Sequence, residues 1–410
     1  MVTGFFIPFR AVMRYQSYFN TALSLIRLYD GTVPVVHFLK KYFSEHKKHG
    51  SRDRKLITHL CYGYYRIGHA LTTLDAEERL RISIFLCNEI AGDWAGLFEE
   101  PWLTVWTTSL PEKINWLQKR YPGFTVASIF PWVEELSEGM EPEAFILSHF
   151  TQPDLFLRIR PGKEKQVLTK LTNLQVAFSQ PQTNCLALAN TTKIDNVLDL
   201  DQEVVIQDYS SQQVASFFSL IAHHSPLTLW DCCAASGGKS LLAVDSLPDI
   251  ELTVSDIRPS ILRNLKERFD RAGIRHYESF VADLSHSPLT THHSPFHIVL
   301  CDAPCSGSGT WGRTPEQLYF FSKEKIAEYA ALQKKIISHV IPHVAKGGYL
   351  LYITCSVFKK ENEQQVQAVL ESGEFNLVKM EVLKGYDRKA DSMFAALLKK
   401  KGVIGKYVNK

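Results

Sequence analysis

FHIVLCDAPCSGSGTWGR, residues 296–313, is the stretch from which the fold is read. Its first six residues, Phe296 to Cys301, are mostly apolar and β-prone, and read as a buried parallel strand. The strand runs into Asp302-Ala303-Pro304-Cys305 and then a Ser/Gly run. A carboxylate, a proline and a thiol at the carboxyl end of a buried strand stand where open α/β sheets hold their ligands. Pro304 fixes one backbone torsion while Gly307 and Gly309 release others, which suits a loop shaped around a flat substrate. A second thiol, Cys355, follows a second apolar strand, YLLYIT at 349–354. Two cysteines at two strand ends of one sheet are expected to point into one cleft.

Outward from this pair, strands alternate with helices from Gln207 on, the pattern of βαβ units and a parallel sheet. A helix is expected over 214–221 and a strand over 227–230, leading into DCCAASGGKS at 231–240. That loop is not a phosphate loop, because GxxxxGK[ST] needs glycine at the position of Cys233. GxGxxG is absent too, so a nucleoside-binding loop remains, its small residues letting the backbone approach a ligand. Strands over 252–255 and 279–282 end in Asp256 and Asp283, and Asp256 is placed to accept hydrogen bonds from ribose hydroxyls. Helix capping explains any one of Asp231, Asp256, Asp283 and Asp302 more readily than a carboxylate at four successive strand ends. A long amphipathic helix over 326–344 is expected to end at Lys346-Gly347-Gly348. Glu361-Asn362-Glu363 opens another helix, and 375–378 and 391–397 read as edge strands of the same sheet.

Residues 15–120 are rich in helix signals, with apolar stripes at Tyr18, Ala22, Leu25 and Ile26 and at Val35, Phe38, Leu39 and Phe43. Ser51 reads as the cap of a helix carrying Leu56, Leu60, Tyr64 and Ile67. Arg52, Arg54, Lys55 and Arg66 lie near this aromatic stripe and could hold RNA, although the aromatics themselves read as core. Tyr121-Pro122-Gly123 and Phe130-Pro131 punctuate the chain. Beyond them a small α/β insertion carries a basic rim of Arg158, Arg160, Lys163 and Lys165. The expected domains are therefore 1–125, all-helical; 126–204, small α/β; and 205–410, the domain of βαβ units and parallel sheet.

The chain has 410 residues, 45% hydrophobic and 22% charged, which describes a globular protein rather than a disordered one. No apolar run reaches the roughly 18–20 residues that span a bilayer, and Arg10 and Arg14 interrupt the opening apolar stretch too early for a signal-peptide core. Eight cysteines without regular spacing read as reduced thiols, so the expected compartment is the cytoplasm. The net charge of +3 is unevenly placed, with ten Lys/Arg against three Asp/Glu in 1–60 and nine against three in 379–410. Two basic ends around an acidic centre suit a polyanionic partner. His286, His292, His293 and His297 lack zinc-type spacing, so no metal is expected.

Residues alone lead to a nucleotide-type α/β enzyme with a reactive thiol. The motifs lead further. DCCAASGGKS resembles DxCAAPGGKT, the S-adenosyl-L-methionine (AdoMet) motif of the RNA cytosine-C5 methyltransferases, the Sun/RsmB–Nop2 family. LCDAPCSGSGTWGRTPE is similar to that family's DAPCSGTG followed by Arg-x-Pro-Glu/Asp, and YITCSVFKKENEQQV to its TCS…ENE signature. VIQDYSSQQVASFF resembles its VQDxxSQ entry helix, and DSMFAALLKK its terminal DGFFxAxLxK strand. SRDRKLITHLCYGYYRI, more weakly, resembles the NusB-like helical domain of the small-subunit rRNA branch.

The resemblance implies a Rossmann-like AdoMet-dependent sheet with a NusB-like N-terminal domain and an RNA-contacting insertion. It implies AdoMet as cofactor, RNA as partner with 16S rRNA favoured over tRNA, and a monomer. Cys355 is implied as the nucleophile at cytosine C6, Cys305 as the group that assists breakdown of the adduct, and Asp302 as a contact to cytosine and the cofactor region. Cys233, Ala234, Ala235, Ser236, Gly237, Gly238 and Lys239 are implied to cradle the methionine part, Asp256 the ribose and Asp283 the adenine amine. Ser236 departs from the family's proline, Ser392 from its glycine, and Ile261 from a common arginine. DNA cytosine methyltransferases use the Pro-Cys thiol, here Cys305, and lack the TCS motif, so Cys355 argues for RNA. The rival from another class is a ribosome-assembly factor that keeps the fold without turnover.

Overall fold

The structure is a computed structural model that describes residues 9–221, 226–247, 249–287 and 295–402. His292 and His293 lie outside the described residues. Among those described, no helix is long and apolar enough to cross a membrane. The chain forms two compact units. One comprises residues 1–134, 141–152 and 311–321, and the other 135–140, 153–310 and 322–410.

The first unit is helical. Its longer helices are Phe9–Leu28, Val35–Glu45, Ser51–Arg66, Ala76–Cys87 and Leu110–Arg120. Gly50, not Ser51, caps the third of these, and its N–H donates to the Asp53 carboxylate at 3.0 Å. Arg66 is buried, its guanidinium donating to the His149 carbonyl and to Gln152 Oε1, so it serves the unit's interior and not a binding face. The segment 311–321 is folded into this unit by aromatic packing. Phe320 lies 5.6 Å from Tyr29, and the Val35 N–H donates to Glu316 Oε1.

The second unit holds two sheets. The smaller comprises β1 (Leu155–Ile159), β2 (Ser179–Gln182), β3 (Cys185–Leu188) and β4 (Val204–Ile206), in the order β2-β3-β1-β4, with the helix Glu164–Asn173. Arg158 and Arg160, expected on an exposed basic rim, instead pair with the buried Asp245 at 2.6 and 2.7 Å. They fasten the insertion to the helix Gly238–Ser246, and a buried carboxylate competes for guanidinium better than water does.

The larger sheet comprises β5 (Leu227–Asp231), β6 (Ile250–Asp256), β7 (Glu278–Val281), β8 (Phe296–Asp302), β9 (Val344–Thr354), β10 (Phe375–Leu383) and β11 (Met393–Lys400). Their order is β10-β11-β9-β8-β5-β6-β7, with β5 to β9 parallel and β11 antiparallel to both its neighbours. The apolar run of β8 is buried on both faces, as a central parallel strand requires. Ile298 and Leu300 join one core, which includes Leu229, Val254 and Leu351. Val299 and Cys301 join the other, with Trp230, Leu350 and Tyr352. The strand order reverses between β5 and β8, and a crevice at the carboxyl ends of the strands is expected there.

Several local expectations are corrected. Residues 214–221 do not form one helix; the segment turns through Tyr209–Gln213 and Ala215–Phe218. Lys346-Gly347-Gly348 lies inside β9, since the preceding helix already ends at Val340. Of the two C-terminal strands only β10 is an edge, because β11 inserts between β9 and β10. The helix begun near Glu361 starts at Glu363, with Asn362 at its N-cap.

Candidate active site

The four carboxylates do leave β5, β6, β7 and β8, but they are differently employed. Asp231 is fully buried. Its Oδ2 accepts from Ser240 Oγ at 2.6 Å, while Oδ1 has no hydrogen-bond partner among the described residues. Burial pushes its pKa up to about 7, the Ser240 bond opposing the shift. Asp256 Oδ2 accepts from the Ala235 N–H at 3.0 Å and Oδ1 from the Arg258 N–H at 2.9 Å, so it shapes the loop that follows β5. Asp283 accepts from the Ser285 N–H at 2.9 Å and lies 2.9 Å from His286 Nδ1; its pKa is lowered chiefly by the Ser285 hydroxyl. Asp302 accepts from Lys239 Nζ at 3.3 Å and is the most accessible carboxylate at the β5–β8 crossing, its side chain 29% exposed.

Residues 233–239 turn from β5 into the helix Gly238–Ser246. Ala235 and Gly237 both have positive φ, and a Cβ on Gly237 would stand 2.6 Å from Phe269. The turn leaves the first N–H groups of a nine-residue helix at the carboxyl end of the sheet. Ser236, at the family's proline position, lies 3.5 Å from the Arg268 guanidinium. Beside Ile261, at the family's arginine position, it is Arg258 that reaches Asp256, at 3.2 Å.

The two thiols meet. Cys305 Sγ and Cys355 Sγ are 3.2 Å apart, each just past the end of its strand. Hydrogen bonding to Cys355, then burial, then the Cys355 charge and after it that of Glu361 push the Cys305 thiol well above its usual pKa. The loop is closed by backbone bonds. The Ala303 N–H donates to the Ile353 carbonyl, the Gly309 N–H to the Cys355 carbonyl and the Ser392 N–H to the Gly309 carbonyl, each at 2.9 Å. A Cβ on Gly309 would lie 1.9 Å from the Ser392 oxygen and 3.0 Å from that of Cys355, so only glycine fits. Ser392, the second departure from the family pattern, accepts from the Gly385 N–H through its hydroxyl.

Residue-by-residue reading missed a polar cluster behind the thiols: the buried Ser308, Gln333, Ser356 and Glu361, with the half-buried Ser306. Its signal was present, since serine follows the thiol at both strand ends. Among the described residues, Cys232, Cys233 and Cys301 are the one group of three whose metal-ligating atoms gather within 4.8 Å of one another. Cys232 and Cys301 are buried in the apolar core around Trp230 and Val299.

Residues 219–403 match the family model described as 16S rRNA methyltransferase RsmB/F. The chain is 35% identical over 168 residues to ribosomal RNA small subunit methyltransferase B of Xylella fastidiosa, covering 41% of this chain and 38% of that protein. It is 32% identical over 264 residues to the protein of the same name from Shewanella oneidensis, covering 62% and 57%. The chain thus spans between a third and three fifths of the length of these relatives. In fold it is similar to the crystal structure of PH0851, with TM-score 0.68 and 21% identity over 93% of this chain and 98% of that one. It is also similar to a methyltransferase homologue from Pyrococcus horikoshii, with TM-score 0.56 and 19% identity over 69% and 97%.

Proposed function

We propose that the chain, whose residues 219–403 match the RsmB/F methyltransferase model, is a member of that family and an AdoMet-dependent RNA methyltransferase that forms 5-methylcytosine in small-subunit rRNA. The observation that carries the reading is the 3.2 Å approach of Cys305 and Cys355 at the ends of two adjacent parallel strands.

Cytosine C5 is a poor nucleophile until C6 is saturated. The Cys355 thiolate adds to C6, and the electron pair of the ring double bond becomes available at C5. Asp302, open at the crossing, accepts from the exocyclic amine and from the solvent-derived proton that N3 takes up as charge builds there. After methylation a water in the cleft takes the C5 proton, the freed electron pair re-forms the ring double bond and the C6–S bond breaks, returning charge to Cys355. The Cys305 S–H, within hydrogen-bond reach, stabilises that departing thiolate.

The donor set fits AdoMet, which when bound supplies an electrophilic methyl group. Loop residues 233–239 and the helix start behind them offer N–H groups to its carboxylate. Asp256 and Asp283 retain acceptor capacity for its ribose and its adenine amine, and Asp302 for the region between cofactor and base. The helical unit, NusB-like, and the insertion are read as RNA-contacting, and the protein as a cytoplasmic monomer that needs no metal.

The test uses the Cys305→Ala protein, labelled AdoMet, 16S rRNA and tRNA on a denaturing gel. A shifted labelled band with 16S rRNA alone supports the reading in full, and a band with tRNA alone moves the substrate to tRNA. No band with either, despite AdoMet binding, overturns the reading in favour of an assembly factor without turnover.

A further inference from the structure

The two thiol turns converge on one buried side chain. Glu361 is fully buried. Its Oε2 accepts from the Ser306 N–H at 2.8 Å and from Gln333 Nε2 at 3.0 Å, and its Oε1 accepts from Ser356 Oγ at 2.7 Å. Ser306 directly follows Cys305, and Ser356 directly follows Cys355. The same Gln333 nitrogen also donates to the Pro304 carbonyl at 3.0 Å. Ser308 Oγ lies 3.2 Å from Ser356 Oγ and accepts from the Val357 N–H, and Tyr352 OH donates to the Glu361 carbonyl at 2.6 Å. One carboxylate therefore bonds the residue after each thiol, in two loops 50 positions apart in sequence.

We propose that Glu361 is the positioning residue of the active site: its carboxylate fixes the separation of the two sulphurs and keeps Cys305 as the thiol that donates to Cys355. This role deepens the cytosine-C5 reading and rests on it for its catalytic meaning, though not for its geometry.

Two fixed N–H donors on Oε2 favour the ionised carboxylate, since a protonated oxygen there would meet them with a hydrogen. Burial alone works the other way and raises the Glu361 pKa, with the bonds from Ser306, Ser356 and Gln333 opposing it. An anion at this position makes a second anion on Cys305 costly in a low-dielectric site. The other titratable groups whose charge Cys305 feels or influences are Cys355, Tyr329 and Tyr352. The thiol pair is thereby made unequal: one sulphur carries the charge and attacks, and the other keeps a proton with which to receive the sulphur back.

The test measures alkylation of Cys305 by iodoacetamide, read by peptide mass spectrometry across pH in the full-length protein. Cys355→Ser is compared with Cys355→Ser/Glu361→Gln, so that only one thiol of the pair reports. Loss of the anion is expected to raise the Cys305 alkylation rate at pH 7.5 about tenfold, one pKa unit. With Cys355 intact, Glu361→Gln is expected to lower kcat for methylation at least tenfold with KM for RNA unchanged, and Glu361→Asp to restore part of it. An unchanged Cys305 pH profile in a Glu361→Gln protein that melts like its parent overturns the proposal. If the profile shifts while the wild-type protein forms no 5-methylcytosine, Glu361 keeps its role and the proposed function fails instead.

Discussion

Replacing Asp231 by asparagine should shift stability in the variant's favour, relative to wild type, by a growing amount as pH rises. The Asp231 carboxyl is fully buried, one of its oxygens lacks a hydrogen-bond partner among the described residues, and its pKa is raised from 3.8 to about 7. In the unfolded chain the group ionises near its ordinary value. Between about pH 4 and pH 7 the folded state therefore binds more protons than the unfolded state, and stability falls as pH rises. Integrating that difference gives a penalty of about 0.5 kcal/mol at pH 4 and about 4 kcal/mol at pH 8. Asparagine carries no such pH-dependent cost, although burying its amide lowers stability equally at every pH. The relevant quantity is thus the change in the difference between variant and wild type, about 3–4 kcal/mol from pH 4 to pH 8. Urea denaturation followed by far-UV circular dichroism at pH 4, 6 and 8 measures it. A constant difference across that range would refute the reasoning, since Asp231 would then titrate alike in both states.

Cys355→Ala should abolish methylation and leave AdoMet binding within about twofold by calorimetry, whereas Cys305→Ala should accumulate the protein–RNA adduct. Exchanged phenotypes would reverse the assignment of nucleophile. Gly309→Ala forces a Cβ against the Ser392 and Cys355 carbonyls and should cost about 2–4 kcal/mol in a thermal melt. It should also slow cross-linking of Cys305 to Cys355 by a short bifunctional thiol reagent. Asp245→Ala leaves two largely buried guanidinium groups, Arg158 and Arg160, without their shared carboxylate. A loss of about 3–5 kcal/mol by denaturant titration is expected, with faster hydrogen exchange concentrated in β1.

Much of the doubly wound sheet was legible because a central parallel strand has a local signature. FHIVLC is apolar at every position but His297, and each such run stops at a carboxylate or a thiol, which marks the strand end. The meeting of Cys305 and Cys355 followed from that periodicity and from the alignment of strand ends. What was not legible depends on partners distant in sequence. Arg158 and Asp245 are 87 positions apart, and nothing near either residue marks the arginine as buried. Arg66 is spent on carbonyls more than 80 positions away for the same reason. The tail strand read as an edge because hydropathy reports that a strand is buried and not which two strands flank it; only register shows β11 between β9 and β10. Glu361 was hidden differently. A glutamate before a helix reads as first-turn charge, and its burial follows from the two serine turns closing over it.

The Gly309–Ser392 contact sets an order of events during synthesis. Both cysteines leave the ribosome well before residue 392, yet the carbonyl of Gly309 lacks its donor until Ser392 arrives, and β9 has an open edge until β11 fills it. A growing chain that already holds both thiols therefore still lacks the clasp that orders them. The clasp that orders the two sulphurs is complete only once β11 has formed.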